Sequence, residues 1–302
     1  MLHGSLARLF SIVLLWGWCS LALAEPPLKY KFQEGQKLPY TLNQETVTSS
    51  SVAGQKVDLK ITQQIESLWI VKKIAADGAA EIGQTTTRVV FNMEMPMNKV
   101  EYDSKTGKLP ENDSLKIAEL LASMVDQEIT LTMSPTGEVS NVRIPAKITE
   151  SLAANPALKA MGGTFSAEGI KALIASSIVS FPKPEMKKGD KWDSAPLAME
   201  AGGMKIITTM ATTFEGVETK DGKDLAKFTR KTKTGITPPP GLEAAVKSDD
   251  NDATIWFDVA AGLLFESNSK QTLVIESKLF GQAFETTQSQ TNLMKFTPEI
   301  KK

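Results

Sequence analysis

The chain has 302 residues, 41% hydrophobic and 23% charged, with a formal net charge of −1. Interspersed signs and near-neutral charge exclude the electrostatic footprint of a nucleic-acid binder. Beyond the first residues no segment approaches the roughly 20 apolar residues that a membrane-crossing helix needs.

The first predicted element is a secretory signal over residues 1–24. Arg8 supplies the charge, Leu9 to Trp16 the apolar stretch, and Ala22–Leu23–Ala24 the small-residue cleavage site before Glu25–Pro26–Pro27. The alternatives are an uncleaved anchor and lipidation at Cys19. The short apolar run speaks against the first, and Trp18 before Cys19 against the second. Export to the periplasm or beyond is therefore expected, with no transmembrane segment left after cleavage. Cleavage removes the sole histidine, His3, and the sole cysteine, Cys19. A mature chain lacking both excludes histidine-dependent acid–base and nucleophile systems, zinc sites built on those ligands, and disulfides.

The length suggests about two units at roughly 150 residues each, and the pattern divides the mature chain accordingly. Residues 25–145 read as an N-terminal β lobe with one helix. Leu28 to Phe32 alternates as a short strand, and Leu38, Tyr40 and Leu42 share one face of the next. After a turn at Gly54 the chain returns through Val57, Leu59, Ile61, Trp69 and Val71 to Asp77–Gly78, a hairpin signal. Thr85 to Phe91 and Val100 to Tyr102 are strands rich in residues that fit a pleated surface. The period then changes: Leu115, Ile117, Ala118, Leu121, Met124 and Val125 recur at helical spacing, with Asp113 or Ser114 to cap the start. Ile129 to Met133 and Val139 to Val142 form a hairpin around Ser134–Gly137.

Residues 146–182 read as a helical connector in two pieces. Ile148 and Leu152 lie four apart on the first, which ends near Asn155–Pro156. After Gly162–Gly163, Ser166 is placed to cap the second, which buries Ile170, Leu173, Ile174 and Ile178. Residues 183–302 read as a C-terminal β lobe. Met204 to Phe214 and Leu225 to Thr232 pair across Asp221–Gly222. Pro238 to Gly241 open a short helical insert from Leu242 to Val246. Ala253 to Phe257, Leu263 to Leu279 and Ala283 to Phe296 are strands, the last two pairing around Phe280–Gly281. Strands this long accumulate twist, so curved sheets are expected.

The landmarks of the two lobes correspond. Gly35 to Tyr40, Gly54–Lys56, Asp77–Gly78 and Val100 to Asp103 with Gly107 find counterparts in Gly189 to Trp192, Gly202–Lys205, Asp221–Gly222 and Ile255 to Asp258 with Gly262. An internal duplication is the expectation.

Candidate chemistry is sparse. Lys105–Gly107, Lys233–Gly235 and Ser267–Lys270 match fragments of serine penicillin-interacting enzymes, but in the wrong order and with Ser267 on a strand. Asp249 to Asp252 lacks the glycine and distal glutamate of a calcium loop and reads as a solvated turn. Asp103 and Asp258 occupy matching places, which suits either a carboxylate pair or two turn-forming residues; recurrence in both lobes favours turns. Trp69, Trp192 and Trp256, with Tyr40 and Phe257, either line an apolar groove or fill the core. The cluster of Met93, Met95 and Met97 suits adaptable apolar contact. No catalytic residue, metal site or cofactor is implied.

Leu28 to Tyr40, Lys99 to Ser104 and Lys188 to Trp192 together resemble a family of exported bacterial proteins common in planctomycetes, the domain of unknown function DUF6263. The resemblance implies export and supplies no activity or site residues. The expected fold is mainly β with packed helices: two internally related curved antiparallel lobes, reminiscent in architecture of periplasmic lipoprotein-carrier half-barrels. The expected function is a non-catalytic envelope protein binding a hydrophobic ligand, such as a lipid, or a protein segment on a concave sheet. The alternatives are a structural or assembly role in the envelope, and a carboxylate-based hydrolase using Asp103 or Asp258.

Overall fold

The computed structural model describes residues 27–52, 55–113, 116–154, 167–201, 203–279 and 282–297. The expected signal, the turns at Gly54 and Phe280–Gly281, the caps at Ser114 and Ser166, and the break from Asn155 through Gly163 lie outside these residues.

Among the described residues, thirteen strands make one sheet. They are β1 (Lys37–Val52), β2 (Gln55–Ile74), β3 (Ala80–Met95), β4 (Asn98–Asp103), β5 (Glu128–Met133), β6 (Val139–Arg143), β7 (Lys191–Asp193), β8 (Leu197–Ala201), β9 (Met204–Lys220), β10 (Lys223–Thr237), β11 (Leu242–Asp258), β12 (Leu263–Leu279) and β13 (Gln282–Phe296). The order is β6-β5-β3-β2-β1-β13-β12-β11-β10-β9-β7, with β4 also on β3 and β8 also on β9. Each half is a meander of hairpins. Antiparallel pairing of the first and last strands joins the halves, from Tyr40↔Phe296 to Val52↔Phe284.

The sheet curls. Leu131 and Met133 on β5, near one end of the strand order, and Phe214 on β9, near the other, belong to one buried cluster with Leu38, Trp69, Phe228 and Phe257. A flat sheet of this width could not bring those side chains together at about 4.8 Å per strand. Bulges assist the bend, at Glu66/Ser67 and Val71/Lys73 in the first half and at Lys227/Phe228 and Trp256/Phe257 in the second. The pleat sorts the faces: β5 alternates buried and less buried residues along its length.

Two non-strand segments plug the curl. Residues 28–32, expected as a strand, are extended but bond to three different partners, so no ladder forms. Leu28 N–H reaches Pro184 O, Tyr30 N–H Pro135 O, and Lys31 N–H Gly262 O. The strap 178–186 brings Ile178, Val179, Phe181 and Met186 into the same core. Tyr30 packs between Phe32, Phe181 and Phe257, with ring centroids 5.7, 5.7 and 5.1 Å away.

Helix α1 (Ile117–Met124) lies over β3 and β4, where Ala118 joins Val89, Phe91, Val100 and Tyr102. It is about two turns long, and the Asp113 carboxylate accepts the Ala118 N–H at 2.6 Å. Helix α2 (Ala146–Ala154) buries Ile148 and Leu152 against Leu120 and Ile129, and α3 (Ala167–Ser177) adds Ile170 and Ile174 to that cluster. The helical insert expected at Leu242 to Val246 is strand: Leu242, Ala244 and Val246 pair with Leu279, Ser277 and Ile275 of β12. A neighbouring strand overrides the helix preference of so short an alanine-containing run.

Candidate functional site

The curled sheet brings its ends near one another without joining them. A cleft of about 950 Å³ lies there, walled by the β5–β6 hairpin on one side and the β7–β8 stretch on the other, with α3 and the strap beside it. Its apolar lining includes Ile178, Phe181, Trp192 and Met210; Ser134 and Asn141 add polar groups. The size is that of small-molecule pockets, which run roughly 300–1,000 Å³, while Asp77, Glu138, Ser140 and Asp193 make the walls more polar than is usual for them.

The walls are held by turns that need their glycines. Gly137 has φ +85°, and a Cβ there would lie 2.3 Å from the Val179 carbonyl oxygen. Trp192 is delivered by the Gly189–Asp190 turn, where Gly189 N–H donates to Phe214 O at 2.7 Å and Phe214 N–H to Asp190 O at 2.9 Å. The Asp190 carboxylate accepts the Lys187 N–H and pairs with Lys183, contacts that hold it below the usual carboxylate range. Trp192 then sits opposite Thr212 on β9 and stands edge-on to Phe228 at 6.0 Å. Behind the cleft, buried Arg230 donates Nε–H to Thr212 at 3.3 Å and has a terminal nitrogen 4.0 Å from the Met210 sulfur. Desolvation depresses its guanidinium pKa, offset in part by Tyr30. Arg230 shares the inward face of β10 with Ala226 and Phe228 at the strand period of two, although its charge argues for the outside.

The five aromatics expected as a lining go to three places. Tyr40, Trp69 and Phe257 are core residues, at 4%, 6% and 1% exposure. Tyr40 and Trp69 touch at 5.3 Å, and the Tyr40 hydroxyl donates to Leu264 O at 3.3 Å. Burial pushes both the Tyr40 and Tyr30 hydroxyls well above the ordinary range. Trp192 alone of the five lines the cleft. Trp256 is only partly buried and takes two lysine ammonium groups over its ring, Lys220 at 4.9 Å and Lys227 at 5.2 Å. Of the three clustered methionines, Met93 is buried while Met97 is 98% exposed at the β3–β4 turn.

The two candidate carboxylates do not face each other across a site. Asp103, ending β4, receives Arg88 at 2.8 and 3.2 Å and the Lys105 N–H at 3.0 Å. The Arg88 bonds come first in lowering its pKa to about 2. Asp258, ending β11, bonds Lys223 at 2.8 Å and the Ala261 N–H at 2.8 Å. Burial pushes its pKa up, but those contacts outweigh it and leave the carboxyl lowered. The two strands are six steps apart in the sheet order. Each residue shapes its own turn. In the acidic run, Asp249 accepts the Thr234 N–H and Asp252 pairs with Lys231. Ser267 lies on β12, paired with Met294 and Ile255, with no place in a helix.

Fold and cleft together describe a curled, single-sheet antiparallel β protein with a plugged interior. The chain belongs to the family of unknown function DUF6263, whose model matches residues 77–235, more than half of its length. No curated protein matches it. Among solved structures it is similar to lipovitellin, at 10% identity and TM-score 0.39, with 90% of this chain and 26% of that one covered. It is similar to DynF of the dynemicin pathway of Micromonospora chersina, at 8% identity and TM-score 0.21, covering 92% and 89%. An outer membrane channel of Pseudomonas putida F1 is similar at 8% identity and TM-score 0.20, covering 89% and 97%. The chain spans about a quarter of the lipovitellin chain.

Proposed function

We propose that this is a non-catalytic, exported envelope protein that holds a hydrophobic ligand, or an apolar segment of another protein, in the cleft at Trp192. One observation carries the reading: a cleft of about 950 Å³ has Trp192, Phe181, Ile178 and Met210 together on its walls, an apolar patch inside a rim that also carries Asp77, Ser134, Asn141 and Asp193. Export rests on the leader pattern of residues 1–24 and fits a mature chain without histidine or cysteine. A carboxylate-based hydrolase has less support, because Asp103 and Asp258 are each tied to a separate cation and turn.

Native mass spectrometry of the mature protein from an envelope fraction tests this. A lipid-mass adduct that is lost on denaturation, and absent from Trp192→Ala, is the expected result. Bare protein across several gentle preparations would sink constitutive carriage of an apolar molecule.

A further inference from the structure

The hairpin turns of the sheet are sorted between its two ends, and register carries the sorting from strand to strand. β1 meets β2 last at Val52↔Gln55, and β13 starts back along β1 at Val52↔Phe284. The β12–β13 hairpin closes beyond Leu279↔Gln282, and Leu279 in turn faces Leu242 at the start of β11. Thr237, ending β10, pairs with Lys205, next to the Ala201↔Met204 close of the β8–β9 hairpin. On the other flank β3 leaves β2 after Lys60↔Glu94 and turns onto β4 at Met95↔Asn98. Five hairpins therefore turn at the same end. A Cβ on Gly203 would lie 3.6 Å from Pro239, so the β8–β9 and β10–β11 turns are immediate neighbours.

This end is chemically unlike the other. None of the described residues at the five turns is charged; one turn reads Met95–Pro96–Met97, another Pro238–Pro239–Pro240–Gly241–Leu242. The turns of the opposite end carry Asp77, Asp103, Lys105, Asp221 and Lys223. Exposure follows the same division. Met97 is 98% exposed at its turn, and Val57, two pairs from Val52↔Gln55, is 49% exposed. Ile207, two pairs from Thr237↔Lys205, is 36% exposed. Leu109, at 45%, precedes Asn112, whose amide donates to Asn98 Oδ1 at 3.0 Å. Single exposed apolar side chains are ordinary; four large ones gathered at one end mark an interaction surface.

The residues just behind the tips show what that surface meets. A lysine stands one residue from four of the five turns: Lys56, Lys99, Lys205 and Lys278. Three of them pair with carboxylates at the same level, Lys56 with Asp58 at 3.1 Å, Lys99 with Glu101 at 2.7 Å and Lys278 with Glu243 at 3.9 Å. Apolar tips backed by a thin layer of both signs match the section of a zwitterionic bilayer, acyl chains beneath phosphate and ammonium groups. We infer that this end of the sheet docks on a lipid bilayer, Met97 and its neighbouring turns entering the acyl boundary. The surface is built from other residues than the cleft at Trp192 and does not depend on that reading.

The test is flotation of the mature protein, without residues 1–24, on phosphatidylcholine vesicles. The parent should float with them, and high salt should change its affinity by less than about twofold, because opposite charges in the layer cancel. Met97→Asp should weaken binding about tenfold, as withdrawal of one methionine from an apolar phase predicts. Its side chain is exposed, so the thermal midpoint should not move. Ala76→Asp makes the same charge change at the opposite end and should float like the parent, as should Trp192→Ala. The mature chain has no cysteine, so Met97→Cys takes a single polarity-sensitive fluorophore, whose emission should shift to the blue on vesicles. The inference is overturned if the parent stays unbound at millimolar lipid or the fluorophore does not shift. It is equally overturned if Ala76→Asp or Trp192→Ala loses binding as Met97→Asp does. Sedimentation showing a dimer that ignores vesicles and that Met97→Asp dissociates would assign the surface to a second copy instead.

Discussion

The Tyr30 hydroxyl donates to the carbonyl of Val179 at 3.1 Å, across 149 residues of sequence. That bond joins the N-terminal segment to the strap inside a shared aromatic cluster, beside the Leu28 N–H bond to Pro184 O. Tyr30→Phe keeps the ring and leaves a buried carbonyl unpaired, at a cost of about 1–3 kcal/mol. The urea midpoint should fall with an unchanged slope.

Gly137→Ala should be worse than its size suggests. The added methyl carbon would lie 2.3 Å from the Val179 carbonyl, at φ +85°. The strap would have to move to relieve the contact. Limited proteolysis should cut the variant within 178–186 under conditions that leave the parent intact.

Asp103 sets an acid limb. Its carboxyl is held at about 2 against an ordinary 3.8, first by Arg88 and then by the Lys105 N–H. A depressed carboxyl stabilises the fold fully above the unfolded value and loses that contribution as pH falls through the folded one. Thermal midpoints of the parent should therefore decline between pH 4 and 2 by more than those of Asp103→Asn. Because the pair is solvent-accessible, salt should flatten the difference.

Trp192 and Phe257 should separate binding from stability. Phe257→Ala empties a fully buried site in contact with Tyr30 and Phe181 and should cost about 3–5 kcal/mol. Trp192→Ala should cost less, since its ring is only half-buried. It should, however, abolish fluorescence enhancement of an apolar dye that occupies the cleft. Equal dye binding by parent and Trp192→Ala would move the ligand site elsewhere.

The long strand runs between turn signals were legible. Leu263 to Leu279 is a strand over the span its pattern marks, and Ala283 to Phe296 differs by one residue at its start. Three-residue β7 was not, because its signal is one tryptophan placed by a turn rather than any periodicity. Leu28 to Phe32 alternates like a strand yet joins no ladder, since its partners come from three separate loops. For the site, Trp192 was visible as an aromatic but not distinguishable from Trp69. Which of the two meets a cleft follows from the curl of the sheet, a long-range property that no local window contains.

Pairing β1 with β13 places the first and last strands of the sheet side by side at its middle. Each half can form its hairpins as it emerges, but the seam must wait for residues 282–296. Deleting that last strand would leave β1 and β12 as two bare edges in the centre of the molecule, each a template for the other half of a second copy. Such a truncation should yield exchanged dimers or aggregates rather than a smaller monomer.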